Sequence, residues 1–231
     1  MFLEFSRRGV PITAAAPTEV PDPEEGATQH DEVNPATEES AQEQTGEVVV
    51  GHFVFEIASD LVPKTAENFK QLCAGAIVGD KKGKDPKTAC YKGTRVLRAT
   101  EEAIQTGDVT HREDGKGTEC IYGTQFDDEN LGSTKHAVGT LSMVNTNGCQ
   151  FFICMAEDAA HLDGRHTAFG KLLSPVEDLL AFQALLLQFY CEEVIPAAGE
   201  VAAEKLYGRL PTDCPFFLSN CGIVEPPPPT A

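Results

Sequence analysis

Two stretches in the first quarter of the chain carry strand-like apolar patterns. Phe2-Leu-Glu-Phe5 predicts a short strand, and Val48–Ile57, rich in β-branched and aromatic residues, predicts a longer one. The period then changes. Pro63 precedes a run in which Ala66, Phe69, Leu72 and Cys73 recur at helical spacing, so a helix is expected from Pro63 to about Cys73. A second helix is expected after Ser174-Pro-Val-Glu177, which has the form of a capping box with proline at the first helical position. Leu179, Leu180, Phe182, Leu185, Leu186 and Phe189 give this helix an apolar face broad enough for the domain on one side and a partner on the other. Phe216–Val224 predicts a closing strand. Ala197–Tyr207, stopped by Gly208, predicts a further short helix.

Between the first two strands, residues 14–46 hold Ala, Pro, Thr, Glu and Gln and almost no large apolar side chain, so the expectation is an acidic, disordered insertion. Ala74–Ala89 reads as a basic loop, and 226–231 as a proline-rich tail. The 231 residues are enough for a single large domain.

The net charge of −18 is concentrated in the acidic segment, since no Lys or Arg occurs between Arg8 and Lys64. This argues against direct contact with nucleic acid, which needs clustered cations. The segment reads as a solvated loop, with a tether to a basic partner such as tubulin, histone or ribosome as the sharper alternative. The eight cysteines include no close CxxC pair, and Cys73, Cys149 and Cys154 lie in apolar runs. They read as free thiols of a reduced compartment, and a cytoplasmic location is expected. No apolar run approaches the roughly 20 residues of a membrane span, and the N-terminal arginines follow the apolar patch rather than precede it, so neither membrane nor secretory export is expected. His161, Asp163 and His166 have no standard ligand spacing, and no Gly-rich phosphate loop occurs, so no metal or cofactor is expected. Asp127, Asp128 and Glu129 read as a structural cluster rather than as an acid/base pair.

Four motifs follow in order: Val62-Pro-Lys-Thr-Ala-Glu-Asn-Phe69, Ile121-Tyr-Gly-Thr-Gln-Phe-Asp-Asp-Glu-Asn130, Thr140-Leu-Ser-Met-Val-Asn-Thr-Asn-Gly-Cys-Gln-Phe-Phe-Ile153 and Leu162-Asp-Gly-Arg-His166. In this order and spacing the chain resembles the cyclophilins, the peptidyl-prolyl cis-trans isomerases. The resemblance implies a mainly β fold, a closed eight-stranded antiparallel barrel capped by two α-helices. It implies one domain over residues 1–225, with the acidic segment inserted in the first hairpin and 192–211 as a second insertion. It further implies that Arg98, after Tyr91-Lys-Gly, is the cationic catalytic donor, and that Gln105 contacts the substrate backbone. Phe152 would floor the proline pocket and His166 and Leu162 would wall it, while Ala103, His161 and Asn147 would complete the substrate groove.

The chain departs from the family pattern at informative places. Glu102 and Ala103 stand where the family carries phenylalanine and methionine, and the segment from Arg98 to Gln105 is one residue shorter. Residues that line the groove in the family are missing between Met143 and Asn147. His161 replaces the familiar tryptophan, which implies poor cyclosporin binding. Two functions follow: a prolyl isomerase of reduced activity acting on proline-containing peptide or protein segments, or a weakly active or inactive fold serving as a subunit of a large assembly, for example a ciliary axoneme or a spliceosome in the nucleus.

Overall fold

A computed structural model describes residues 1–11, 45–78, 87–112, 114–144, 147–198 and 206–224. The acidic segment up to Gln44, the middle of the basic loop (79–86) and the proline-rich tail lie outside the described residues.

Both N-terminal strands form where the apolar patterns place them: β1 (Phe2–Pro11) and β2 (Thr45–Ile57). They pair antiparallel from Phe2–Val54 to Pro11–Thr45, so Thr45 and Gly46, counted above with the acidic insertion, belong to β2. Leu3, Phe5, Phe53 and Phe55 point inward and are fully or almost fully buried, while the residues between them face outward. Helix α1 (Pro63–Ala74) follows, buried through Ala66, Phe69, Leu72 and Cys73 as the helical period requires. The expected basic loop is partly ordered: its ends pair as β3 (Ala76–Val78) and β4 (Lys87–Ala89), a separate two-stranded sheet.

The main sheet adds β5 (Arg98–Ala99), β6 (Ala103–Thr106), β7 (Thr140–Met143), β8 (Phe151–Cys154), β9 (Ala168–Leu172) and β10 (Phe216–Gly222). Its eight strands run β10-β1-β2-β9-β7-β8-β6-β5, all neighbours antiparallel. The sheet curls until its edges meet. The segment leading into β5 binds β10 through Gly93 N–H to Leu218 O (2.7 Å), Leu218 N–H to Thr94 O (2.8 Å) and Val96 N–H to Phe216 O (3.0 Å).

Each of the two helices contributes an aromatic ring to the core. Phe69 of α1 meets Tyr91, Phe151 and Phe169 at 4.9–5.3 Å between ring centroids. Helix α2 (Val176–Phe189) places Phe182 against Phe5 and Phe53 at 4.8 and 5.6 Å. Burying such a ring stabilises by about 1.5–3 kcal/mol, so both helices are held mainly by tertiary packing.

Two expectations about α2 are corrected. No capping box forms: Pro175 occupies the N-cap, and the Ser174 hydroxyl instead accepts the Val54 N–H of β2 at 2.8 Å. The helix also does not end before residue 192, because a π-turn (Tyr190–Val194) carries it into α3 (Ile195–Ala198). Of the short helix expected over Ala197–Tyr207, Ala197 and Ala198 belong to α3, and 199–205 lie outside the described residues. The helix from Val176 to Ala198, at 23 residues, is long and apolar enough to cross a membrane by length and composition alone. Here it packs on the barrel through Leu179, Phe182, Gln183 and Leu186.

Candidate active site

The hairpin β5–β6 is tied by one residue. Thr100 N–H donates to Ala103 O at 3.0 Å, and its hydroxyl oxygen accepts the Ala103 N–H at 3.0 Å. From α2, the Gln183 side-chain amide donates to the Thr100 and Glu101 carbonyls at 2.8 and 3.0 Å. The helix therefore fixes the turn that sets the register of the hairpin.

That register makes the site. Arg98 of β5 pairs with Gln105 of β6, Gln105 with Phe152 of β8, and Phe152 with Ser142 of β7. Residues opposite one another in antiparallel strands share a face, with Cβ atoms about 4.5–5.5 Å apart. A transverse row thus carries a cation, an amide and an aromatic ring across three strands, on the face away from the barrel core. Gln105 is held in place by Gln150, whose Oε1 accepts its Nε2–H at 2.8 Å, and Gln150 in turn donates to the Gly115 and Gly117 carbonyls. Arg98 is exposed and has no carboxylate partner among the described residues.

Beside this row lies a small apolar cluster separate from the main core, with Phe152, Cys154 and Ala159 buried and Ala103, Val144, Ala156 and Leu162 partly buried around them. His166 stands edge-on to Phe152, with centroids at 5.2 Å and planes at 87°. Its Nδ1 lies 3.0 Å from the Met143 carbonyl, so Nδ1 carries the proton. Burial holds the His166 pKa below its ordinary value, which keeps the ring neutral near neutral pH.

Behind Phe152, His136 Nδ1 lies 2.9 Å from Asp163 Oδ1 and Nε2 lies 2.9 Å from Ser142 Oγ. The Asp163 carboxyl also accepts the His136 backbone N–H, and these bonds hold its pKa below the usual carboxylate value. The chain Asp163–His136–Ser142 has the connectivity of a hydrolase triad, but Ser142 is fully buried and its hydroxyl also contacts the Thr167 carbonyl at 3.2 Å. No substrate carbonyl can reach it. The network supports Phe152 from behind.

The row and the cluster border an open cavity of about 650 Å³. Six of the eight residues expected from the sequence line it: Arg98, Ala103, Gln105, Phe152, Leu162 and His166. Two do not. His161 stands exposed in the middle of the 3-10 turn Ala160–Leu162, its Nε2 3.9 Å from Glu102 Oε2. Asn147 is buried with φ of +35° and turns away, its Nδ2–H donating to Asp128 and its carbonyl accepting the Phe126 N–H. Its own N–H donates to the Val144 carbonyl at 2.9 Å.

The acidic cluster is structural at Glu129, whose carboxylate accepts the Lys64 and Thr65 backbone N–H groups at 3.1 and 2.7 Å and so caps α1, which lacks a side-chain cap of its own. Sequence reasoning gave no role to Gln150, although it lies inside a quoted motif, nor to His136 and Ser142. It also gave none to Tyr207, which lines the cavity from the second insertion. No local pattern around Tyr207 points to the site.

Residues 42–187 match the family model described as "Cyclophilin type peptidyl-prolyl cis-trans isomerase/CLD". Among curated proteins the chain is similar to "Peptidyl-prolyl cis-trans isomerase D" of Eremothecium gossypii, 44% identical over 128 residues. That alignment covers 53% of this chain and 34% of the relative, so the chain spans about a third of that protein's length. Its strand order, its helices and a matched segment of well over half its length place the chain in the cyclophilin-type peptidyl-prolyl cis-trans isomerase family.

Proposed function

We propose that the chain is a prolyl isomerase of reduced activity acting on X-Pro bonds of proline-containing peptide or protein segments. Rotation about such a bond faces a barrier of about 18–20 kcal/mol because the amide is conjugated. No covalent step is needed. The proline nitrogen becomes basic only in the twisted state, so a cationic donor fixed beside it lowers the barrier selectively. Arg98 supplies that donor, Gln105 holds the flanking backbone, and Phe152 with Leu162 and neutral His166 receives the ring. The observation that carries this reading is the register that aligns Arg98, without a carboxylate partner among the described residues, with Gln105 and Phe152. Reduced activity follows from Ala103, which leaves space where a larger side chain would touch the ring, and from the groove residues missing between Met143 and Asn147.

The test is magnetisation exchange between cis and trans forms of a short X-Pro peptide. Wild type should accelerate exchange, and Arg98→Ala should reduce the accelerated rate by well over tenfold, as loss of one preorganised donor does. Wild type indistinguishable from the uncatalysed rate would instead support the second reading, a non-catalytic subunit of a larger assembly. The same shallow, open groove favours that second reading. A cytoplasmic site of action, with axoneme or nucleus as alternatives, belongs to the proposal.

A further inference from the structure

Tyr207 is 73% exposed, lies at φ +47°, and borders the same cavity as Arg98, Ala103 and Phe152. It sits in a turn closed by Arg209 N–H to Leu206 O at 2.9 Å. The next residue, Gly208, has φ +75°, so both central positions are left-handed, as in a type I′ turn. Such a backbone costs a tyrosine about 1–2 kcal/mol, and an exposed ring recovers little of it by packing.

The turn is nonetheless firmly docked on the hairpin that carries Arg98. Ala99 N–H donates to Gly208 O at 2.8 Å, Leu210 N–H donates to Leu97 O at 2.9 Å, and Arg98 bridges to Arg209. A Cβ on Gly208 would meet the Ala99 carbonyl oxygen at 2.2 Å, so only glycine permits this approach. The Tyr190 hydroxyl of the π-turn accepts the Gly208 N–H at 3.4 Å. The helix extension and the second insertion together hold an aromatic ring in a strained backbone at the edge of the cavity.

From this geometry, and resting on the isomerase reading above, we infer that Tyr207 is a substrate-contacting residue that selects segments with a large apolar or aromatic side chain next to the proline. Its exposed face offers the contact that β6 lacks at Ala103, and ring-on-ring contact adds to simple burial. Glu101 and Glu102 line the same edge and disfavour an acidic neighbour.

The experiment compares binding of two short peptides, one with Phe and one with Ala flanking the proline, to the full chain by ¹⁵N amide shift titration. Wild type should bind the Phe peptide about fivefold more tightly, a difference of the order expected for one aromatic contact. In Tyr207→Ala the ratio should collapse toward one, and Tyr207→Phe should restore it. Peptide should shift the amides of Gln105, Phe152, Tyr207 and Gly208 together. If Gln105 and Phe152 shift while Tyr207 and Gly208 do not, or if Tyr207→Ala keeps the preference, the inference is overturned and the isomerase reading stands. If neither peptide shifts any of these amides, both fall.

Discussion

The rings of His136 and Phe152 lie nearly parallel, 6.3 Å apart between centroids with planes 11° from one another. His136 is itself fixed at both nitrogens, by Asp163 and Ser142. The floor of the cavity therefore rests on a buried polar chain rather than on the main core. His136→Ala should lower global stability by about 1–3 kcal/mol, because the hydrogen bonds of a buried polar chain are left unmade. It should also weaken proline-peptide binding while leaving Arg98 in place. Chemical denaturation and peptide titration check both, and unchanged peptide affinity would show that Phe152 is positioned without this support.

Ala103 lines the cavity opposite Cys154 in the β6–β8 register, on the same face as Gln105. Ala103→Met should fill part of the gap and raise proline-peptide affinity about fourfold, in line with the burial of one methylene group. Isothermal titration is the measurement. No gain in affinity together with a lowered melting temperature would mean the space is already used, and the enlarged side chain overpacks it.

The carboxylate of Glu129 supplies the N-terminal cap that Val62 cannot. Glu129→Ala leaves the Lys64 and Thr65 N–H groups without an acceptor and removes a negative charge from the positive end of α1. A loss of about 1–2 kcal/mol is expected from thermal or urea denaturation. Since Phe69 of α1 sits at the centre of the aromatic cluster, the loss should appear in global rather than local unfolding. A variant with wild-type stability would show that water replaces the cap.

Burial depresses the pKa of His166 below its ordinary value of 6.5 in the folded protein. The unfolded chain therefore binds this proton more tightly, and the stability contributed by neutral His166 is complete above about pH 6.5 and is lost as pH falls through the folded pKa. Protonation also sets a charge beside Phe152, so peptide affinity should fall in the same direction. Between about pH 7 and pH 5 wild type should lose more stability and affinity than His166→Gln. Parallel pH profiles for the two proteins would remove His166 from the cavity's titration.

The sequence by itself determined much of the local structure. The apolar patterns of Phe2–Phe5 and Val48–Ile57, helical spacing from Ala66 to Cys73 and the run from Phe216 all became the elements they predict, because their signals lie within a few residues of chain. Motif order also put Arg98, Gln105 and Phe152 in one set. What it could not contain is the pairing that turns a set into a site. Arg98, Gln105, Phe152 and Ser142 share a row only because distant strands hydrogen-bond in one register, and register is decided by burial across the whole sheet. The same applies to Glu129 capping a helix that begins at Pro63, and to Ser174, drawn from its capping box by the N–H of Val54. Asn147 and His161, both expected at the groove, point elsewhere, since Asp128 and Phe126 hold the one and the other stands exposed beside Glu102. Tyr207 reaches the cavity through backbone contacts with Leu97 and Ala99, more than a hundred residues away, and such contacts are fixed only when the barrel has closed.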